Sequence, residues 1–377
     1  MIKHADAQRA AKAILKKLDN RVVIGVPLGI GKPVGLLNSL YDMAKKNSQI
    51  QLTIVTGLTL SRPLIKSNLE ARFIKPILER LLPNYEDLHY EMDRLKQNLP
   101  SNVNVIEFYL TPGKYLNNQY VQEHYISSSY AYAVQDAMHF GINVLAQQIA
   151  PPYDLEAHYS LSSNSDLFSA TVTALKKSGL PYVVYGEVNK NLPYMKGDAV
   201  VAAEDFTDVV ELFDAPSLFP IPHEELSPQD HLIGLYTASL IKDGGSIQIG
   251  IGKLGMSVAS GLITRHKESE AYKAFLKQLN VMEKFGEIIK KEGGVEVFQE
   301  GLYASTEMMS DEYMEIYRAG IIKRKVFDHL GLQKLINQKK LLEPFSLETL
   351  DRLVQNGVIE EHLSADSLTF LKLCKKF

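Results

Sequence analysis

The sequence predicts an α/β fold with mainly parallel sheets, and two observations lead to it. Short apolar runs rich in β-branched residues alternate with stretches in which apolar residues recur every three to four positions. Strands separated by helices of this length form βαβ units, which build parallel sheets. A strand, a Gly-x-Gly loop and a helix also occur at residues 22–44 and again at 246–266. This repetition suggests two related α/β halves.

The first half contains five predicted strands: residues 21–26, 51–56, 102–109, 142–149 and 182–188. An amphipathic segment before the first strand predicts a helix. Pro33 predicts the start of the next helix, because the missing N–H of proline is not needed in a first helical turn. One buried face of that helix is predicted to consist of Leu36, Leu37, Leu40, Tyr41 and Ala44. Residues 76–82, with Pro76 in the first turn, and most of 119–139 are also predicted to be helical.

A domain boundary is predicted near residues 214–228, where four prolines suit an extended connector. We therefore expect a first domain over residues 1–215, a linker over 216–228 and a second domain over 229–377. In the second domain the predicted strands are residues 246–251 and 301–305. The predicted helices are 230–241, 256–266 and 310–319, and Ser310 is the predicted N-cap of the last one. A charged insert over 267–291 and most of 320–377 are also predicted to be helical.

Composition excludes several classes of protein. The 377 residues are 45% apolar and 23% charged, which is typical of globular proteins. The net charge of −3 gives no bulk basic field for nucleic acid, so we expect no nucleic-acid partner. Apolar runs are too short for a membrane span or a secretory signal. The single cysteine, Cys374, excludes a disulfide framework and fits a reducing compartment. We expect a cytoplasmic protein.

Two glycine loops are candidate anion sites. Gly29 and Gly31 follow the first strand, and Gly250 and Gly252 follow a strand of the second half. Glycine lets a ligand approach the backbone, and the next helix offers N–H donors to a phosphate, carboxylate or oxyanion. The second loop also matches G-x-G-x-x-G, but residues 266–279 read as a charged helix where a dinucleotide site needs a strand ending in an acid. Tight turns without any ligand remain an alternative.

Glu307 is the candidate catalytic residue. It follows the short predicted strand 301–305 and precedes a helix, which is where open α/β sheets place ligands. A carboxylate can act as a nucleophile toward an acyl group. The alternative is an acidic residue favoured near a helix N-terminus, like Asp311 and Glu312. Histidines are scattered without metal-binding spacing, and no G-x-S-x-G motif occurs, so neither a metal site nor a serine nucleophile is indicated. Ser61-Arg62-Pro63 follows a strand and is interpreted as a helix start, with anion binding as the alternative.

Two motifs together resemble the acetyl-CoA hydrolase/transferase family, the class I coenzyme A transferases. They are Asp243-Gly-Gly-Ser-Ile-Gln-Ile-Gly-Ile-Gly252 and Gly301-Leu-Tyr-Ala-Ser-Thr-Glu-Met. The first domain is similar through residues 27–33 and 191–198. The resemblance implies two related α/β domains of the CoA-transferase type. It also implies a coenzyme A thioester as substrate, with no permanently bound cofactor, and water or a small carboxylic acid as acceptor.

The resemblance further implies that Glu307 is the nucleophile and forms a glutamyl-CoA thioester. It assigns CoA contacts to Gly250, Ile251, Gly252, Lys253 and Leu254, and places Gly29 and Gly31 as a second glycine loop facing the site. The family continues well beyond its glutamate with an S-G-x-G-G-Q-like loop. This chain has 70 residues after Glu307 (377 − 307) and no such loop, so we expect an incomplete second domain. The alternative is a non-catalytic remnant, or a subunit that binds acyl-CoA, a second copy or a complementing chain.

Overall fold

A computed structural model describes residues 1–377 except 153–157, 214, 219–224, 307–308, 328, 341–345, 363 and 375–377. The chain forms two compact units, Met1–Ile221 and Pro222–Phe377. The division lies inside the segment predicted as a linker, and the domain bounds themselves stay a prediction. In the described residues, no helix is both long and apolar enough to cross a membrane.

A seven-stranded sheet forms the centre of the first unit. Its strands are β1 (Ile2–His4), β2 (Arg21–Gly25), β3 (Gln51–Thr56), β4 (Val103–Glu107), β5 (Val144–Ile149), β7 (Val183–Val188) and β9 (Asp208–Glu211). All neighbouring strands are parallel, and their order across the sheet is β1-β9-β7-β5-β2-β3-β4. The short strands β6 (His158–Ser160) and β8 (Val200–Ala202) form a separate antiparallel pair. The five predicted strands are confirmed, whereas β1 and β9 of this sheet and the pair β6 and β8 were not predicted.

Helices of the first unit cover both faces of this sheet. They are α1 (Ala7–Lys17), α2 (Val34–Lys46), α3 (Asn68–Leu81), α4 (His89–Leu95), α5 (Gln119–Glu123), α6 (Ala133–His139) and α7 (Phe168–Ser178). Side chains alternate along β7: Val183 and Tyr185 pack in one core with α1, α2 and α4, and Val184 and Val188 pack in the other with α7. Strands buried on both faces explain why these segments are nearly all apolar.

The second unit is mostly helical around one short parallel pair. Its strands are β10 (Ser246–Ile247) and β11 (Tyr303–Ala304), and its helices are α8 (Pro228–Ser239), α9 (Lys253–Lys267), α10 (Ser269–Gln278), α11 (Val281–Glu292), α12 (Asp311–Arg318), α13 (Leu330–Asn337), α14 (Leu347–Gln355) and α15 (Ala365–Cys374). Helices α8 and α9 cross closely, because a Cβ on Gly261 would lie 2.2 Å from the carbonyl oxygen of Gly234. The strand predicted over 246–251 is much shorter than expected, since the glycine loop begins soon after Ile247.

Two helix predictions in the first unit are confirmed only in part. Helix α3 begins at Asn68 instead of residue 76, because the hydroxyl of Ser67 caps it by accepting the N–H of Glu70 at 3.2 Å. Pro76 consequently lies inside the helix. Residues 119–139 form two short helices, α5 and α6, with non-helical chain between them.

Ser61-Arg62-Pro63 does not start a helix. Arg62 is held in an extended segment, where its guanidinium Nη2 donates to the carbonyl oxygen of Tyr85 at 2.7 Å. Its backbone N–H donates to the carboxylate of Asp87 at 3.0 Å. These side-chain and backbone partners fix the segment without helical hydrogen bonds.

Candidate active site

The glycine loop of the second unit is open to solvent. It connects β10 to α9, and Gly250, Ile251, Gly252, Lys253 and Leu254 are all exposed. Gly252 has a φ of +121°, which side-chain-bearing residues rarely adopt. It occupies the N-cap position of α9 and no side chain there accepts a hydrogen bond from the first turn. The positive end of a 15-residue helix therefore begins in an exposed loop.

The loop is held close to its own helix. A Cβ on Gly255 would lie 2.1 Å from the carbonyl oxygen of Gly250. No other residue fits at that position without moving the backbone. Gly255 completes the G-x-G-x-x-G pattern, so its role in this structure is packing of the loop against the first turn of α9.

The segment that leads to Glu307 runs beside this loop. Strand β11 pairs with β10 in parallel, with Ser246 opposite Tyr303, and the N–H of Ser305 donates to the carbonyl oxygen of Ile247 at 3.0 Å. Parallel strands end at the same edge of a sheet, so residues that follow β10 and β11 leave from one edge. Ser305 is exposed there.

Tyr313 connects the two strand ends. Its hydroxyl accepts the backbone N–H of Ile249 at 2.6 Å. The same hydroxyl lies 3.0 Å from the carbonyl oxygen of Ile249 and 3.3 Å from that of Ser305, either of which can accept its proton. The side chain belongs to α12 and is 5% exposed. A single buried hydroxyl thus meets the base of the glycine loop and the end of the β11 segment.

Asp243 holds the opposite end of the strand pair. Its carboxylate accepts the N–H groups of Gln299, Glu300 and Gly301 at 2.8–3.0 Å, and that of Gly244 at 3.1 Å. Burial raises the pKa of this carboxyl, but the backbone donors outweigh burial and hold the pKa below its usual range. The aspartate of the first motif therefore fixes the chain that enters β11.

Glu307 lies outside the described residues, and its role as nucleophile stays a prediction. In sequence it follows Ser305 by two residues. Ser310 occupies the N-cap position of α12 as predicted, although its hydroxyl makes no capping hydrogen bond.

The glycine loop of the first unit differs from the second. Gly29, with a φ of +57°, and Gly31 form a short 3₁₀ turn between β2 and α2. A Cβ on Gly31 would meet the side chain of Asn164 at 2.0 Å, so glycine is needed for this close approach. The two predicted residues therefore lie together, but Gly31 is buried.

A carboxylate of the protein itself occupies the N-terminus of α2. Glu187, 1% exposed on β7, accepts the backbone N–H groups of Gly35 and Leu36 and the hydroxyl of Tyr185 at 3.2 Å. Burial raises the pKa of Glu187 to about 7, against the opposing effect of these donors. Sequence reasoning missed this residue, although a glutamate inside an otherwise apolar central strand was a signal for it.

A buried lysine holds the first glycine loop in place. Lys32 donates from Nζ to the carbonyl oxygens of Pro27 at 2.8 Å, Gly57 at 2.5 Å and Leu58 at 3.3 Å. Burial lowers the pKa of Lys32 to about 7. This lysine ties the loop after β2 to the loop after β3.

Arg94 joins two buried glutamates nearby. Its Nε donates to Glu91 at 2.7 Å and its Nη1 to Glu107 at 2.6 Å. Glu107 in turn accepts the N–H of Thr59 at 2.7 Å, and Tyr115 donates its hydroxyl to Glu91 at 2.7 Å. No sequence motif indicates this network, because its members are separated in the chain.

The structure, in the residues it describes, lacks the acidic strand end that a dinucleotide-binding site needs after its glycine loop. Residues 269–278 are helix α10, so Glu270 does not end a strand as that fingerprint needs. Among the described residues, no cluster of three or more histidine, cysteine or acidic side chains is placed to hold a metal ion.

Solved structures of RipA share the fold of this chain. RipA from Yersinia pestis superposes with a TM-score of 0.55 at 17% identity, over 85% of this chain and 59% of that chain. A RipA mutant structure gives a TM-score of 0.54 at 16% identity, with the same coverage. The predicted α/β fold of the CoA-transferase type is confirmed.

A particular curated relative is also found by sequence. The 4-hydroxybutyrate coenzyme A transferase of Clostridium kluyveri is 26% identical over 227 residues, which is 60% of this chain and 41% of that protein. The resemblance to coenzyme A transferases that the motifs indicated is confirmed. No protein-family model matches the chain. The chain spans well under two thirds of the length of these relatives.

Proposed function

We propose that this protein acts on acyl-CoA thioesters with Glu307 as nucleophile, and passes coenzyme A to a small carboxylate or hydrolyses the thioester. The observation that carries the proposal is the parallel pairing of β10 with β11. It brings an exposed helix-initiating glycine loop and the segment that leads to Glu307 to one edge of the second unit. The similarity to a 4-hydroxybutyrate coenzyme A transferase supports the same chemistry.

The proposed reaction begins at the thioester carbonyl. A carboxylate oxygen of Glu307 attacks the acyl carbon, the C–S bond breaks, and the CoA thiolate leaves behind an acyl-glutamyl anhydride. The thiolate then attacks the glutamyl carbonyl of that anhydride and releases the acyl group as a carboxylate. The enzyme is left as a glutamyl-CoA thioester.

The second half-reaction restores Glu307. An acceptor carboxylate attacks the glutamyl thioester, the thiolate leaves, and the thiolate then attacks the acceptor carbonyl to form the new acyl-CoA. In a hydrolase, water attacks the thioester and releases free CoA. No permanently bound cofactor takes part in this proposal.

Each attack passes through a tetrahedral oxyanion, which preorganised N–H donors stabilise. The proposal assigns this role, or contact with CoA phosphates, to the backbone of Gly250, Ile251, Gly252, Lys253 and Leu254 at the start of α9. That Gly29 and Gly31 contact the same ligand stays a prediction, as do a cytoplasmic location and self-association or a complementing chain.

Replacement of the nucleophile tests the proposal. Acetyl-CoA is mixed with the protein, with or without acetate, and free thiol is followed. The variant Glu307→Gln should lose at least on the order of 10³-fold in rate, because an amide cannot form the anhydride. Glu315→Gln is the matched control, since Glu315 is exposed on α12 a short distance along the chain.

Four outcomes are informative. Thiol release that depends on Glu307 supports the proposal, and equal release by Glu307→Gln contradicts it. Stabilisation by acetyl-CoA without thiol release in the wild-type protein favours the binding-subunit alternative. Stabilisation by NADH and not by acetyl-CoA would exclude a CoA site.

A further inference from the structure

The strand pair that positions the candidate site is very short. Strands β10 and β11 contribute two residues each, and a ladder of this length fixes register weakly. Contacts that fix the register of β10 and β11 more firmly therefore also fix the spacing between the glycine loop and the segment that leads to Glu307. Asp243 binds one end of the pair through four backbone N–H groups. The other end, from which the site extends, depends on Tyr313.

Tyr313 also closes the chain segment that contains Glu307. Residues 305–313 begin at the carbonyl of Ser305 and end at the tyrosine whose hydroxyl lies 3.3 Å from that carbonyl. The hydroxyl accepts the N–H of Ile249, directly before Gly250, and shares its single proton between the carbonyl oxygens of Ile249 at 3.0 Å and Ser305 at 3.3 Å. The phenol is nearly fully buried, so water does not compete freely for these partners.

We propose that Tyr313 is a positioning residue for the acyl transfer. Its hydroxyl holds the end of β11 at a fixed distance from the base of the glycine loop, and so sets where the Glu307 carboxylate meets a carbonyl whose oxygen the loop N–H groups bind. The inference rests on the proposed function. Rates fall steeply when reacting groups are displaced by about 1 Å, so a positioning residue alters turnover more than binding.

The test compares Tyr313→Phe with Tyr317→Phe in the full chain. Phenylalanine keeps the ring and removes only the hydroxyl, and Tyr317 is an exposed tyrosine on the same helix. Formation of the covalent intermediate on acetyl-CoA is followed by borohydride or hydroxylamine trapping and peptide mass analysis. We expect Tyr313→Phe to slow trapping at saturating acetyl-CoA roughly tenfold to a hundredfold, with the half-saturating concentration changed less than about threefold. Tyr317→Phe should behave as wild type.

Other outcomes overturn the inference. Trapping by Tyr313→Phe at the wild-type rate would do so, as would a loss that only matches the fraction of unfolded protein in a thermal melt. A wild-type protein that is never trapped refutes the proposed function instead. Amide hydrogen exchange then decides the positioning claim: faster exchange in residues 249–254 and 303–306 together supports it, and unchanged exchange overturns it.

Discussion

The two Gly-x-Gly loops share a sequence pattern and differ in what lies at the following helix. In the first unit, the carboxylate of Glu187 accepts the N–H groups at the start of α2, and buried charges support the loop. In the second unit, α9 begins in an exposed loop with no side-chain cap. The same motif thus meets a carboxylate of the protein in one place and lies in an exposed loop in the other.

This difference shows that a glycine loop indicates an anion site only when no carboxylate of the protein already lies at the start of the helix that follows. A helix N-terminus attracts any carboxylate within reach, including one from a neighbouring strand. In the first unit β7 supplies that carboxylate at its carboxyl end, where an external ligand would otherwise bind.

Removal of Arg94 should have the largest effect on stability. Arg94→Met leaves Glu107 buried without its cation and leaves Glu91 only Lys114, whose Nζ lies 2.8 Å from its carboxylate, so we expect a loss of about 3–5 kcal/mol of unfolding free energy. Denaturant unfolding measures this loss, with Arg80→Met on the exposed helix α3 as control. A loss under about 1 kcal/mol would contradict a stabilising role of these buried ion pairs.

Titration of Glu187 gives the next largest effect. Its folded-state pKa of about 7 lies above the usual 4.5, so the folded protein retains a proton that the unfolded chain releases between those values. Its contribution to stability is fully present below pH 4.5 and is lost as the pH rises through 7, by roughly 3 kcal/mol in total.

Glu187→Gln should therefore flatten the dependence of unfolding free energy on pH between 4.5 and 7. The control Glu204→Gln, at an exposed position, should keep the wild-type slope. If wild type and Glu187→Gln show the same slope, the pKa of Glu187 is not raised in the folded protein.

Alanine at Gly250 in the exposed loop of the second unit should have the smallest effect on stability, but it should weaken the binding of acetyl-CoA. A methyl group on Gly250 would have nothing within 4 Å, and the residue has no positive φ, so Gly250→Ala should leave the melting temperature unchanged. We expect it to weaken acetyl-CoA binding about tenfold by blocking approach to the backbone. Calorimetric titration measures the affinity.

Alanine at Gly29 tests the difference between the glycine loops of the two units. A methyl group there also has nothing within 4 Å, but the φ of +57° makes Gly29→Ala cost about 1 kcal/mol. The affinity for acetyl-CoA tests the prediction that Gly29 contacts the same ligand, and an affinity near wild type would contradict that prediction. A loss of affinity equal to that of Gly250→Ala would mean that both loops bind the ligand and would remove the distinction between them.

Local patterns predicted much of the fold. The apolar strands of the first unit and the buried face of α2 follow from periodicity, because burial on both sides of a parallel sheet leaves a strong signal. The start of α3 was missed because the cap at Ser67 outweighs Pro76. The strand predicted over 246–251 was too long because the loop begins within it.

The site was predictable only in part. Gly250 to Leu254 carry a motif that can be read from sequence. Tyr313 and Glu187 act through contacts with distant residues, Ile249 and Gly35 among them, and such pairs have no local pattern. Their roles follow from tertiary packing, which a single sequence does not reveal.

Oxygen exchange into Glu307 tests the central claim most directly. In the proposed cycle, an oxygen of the acceptor carboxylate stays on the glutamate when the thiolate removes the acyl group. After turnover with acetyl-CoA and ¹⁸O-labelled acetate, the peptide that contains Glu307 should gain one or two heavy oxygens. If the protein is a hydrolase, the heavy oxygen should come from ¹⁸O-labelled water instead. Turnover without heavy oxygen in that peptide from either labelled acetate or labelled water would contradict the account.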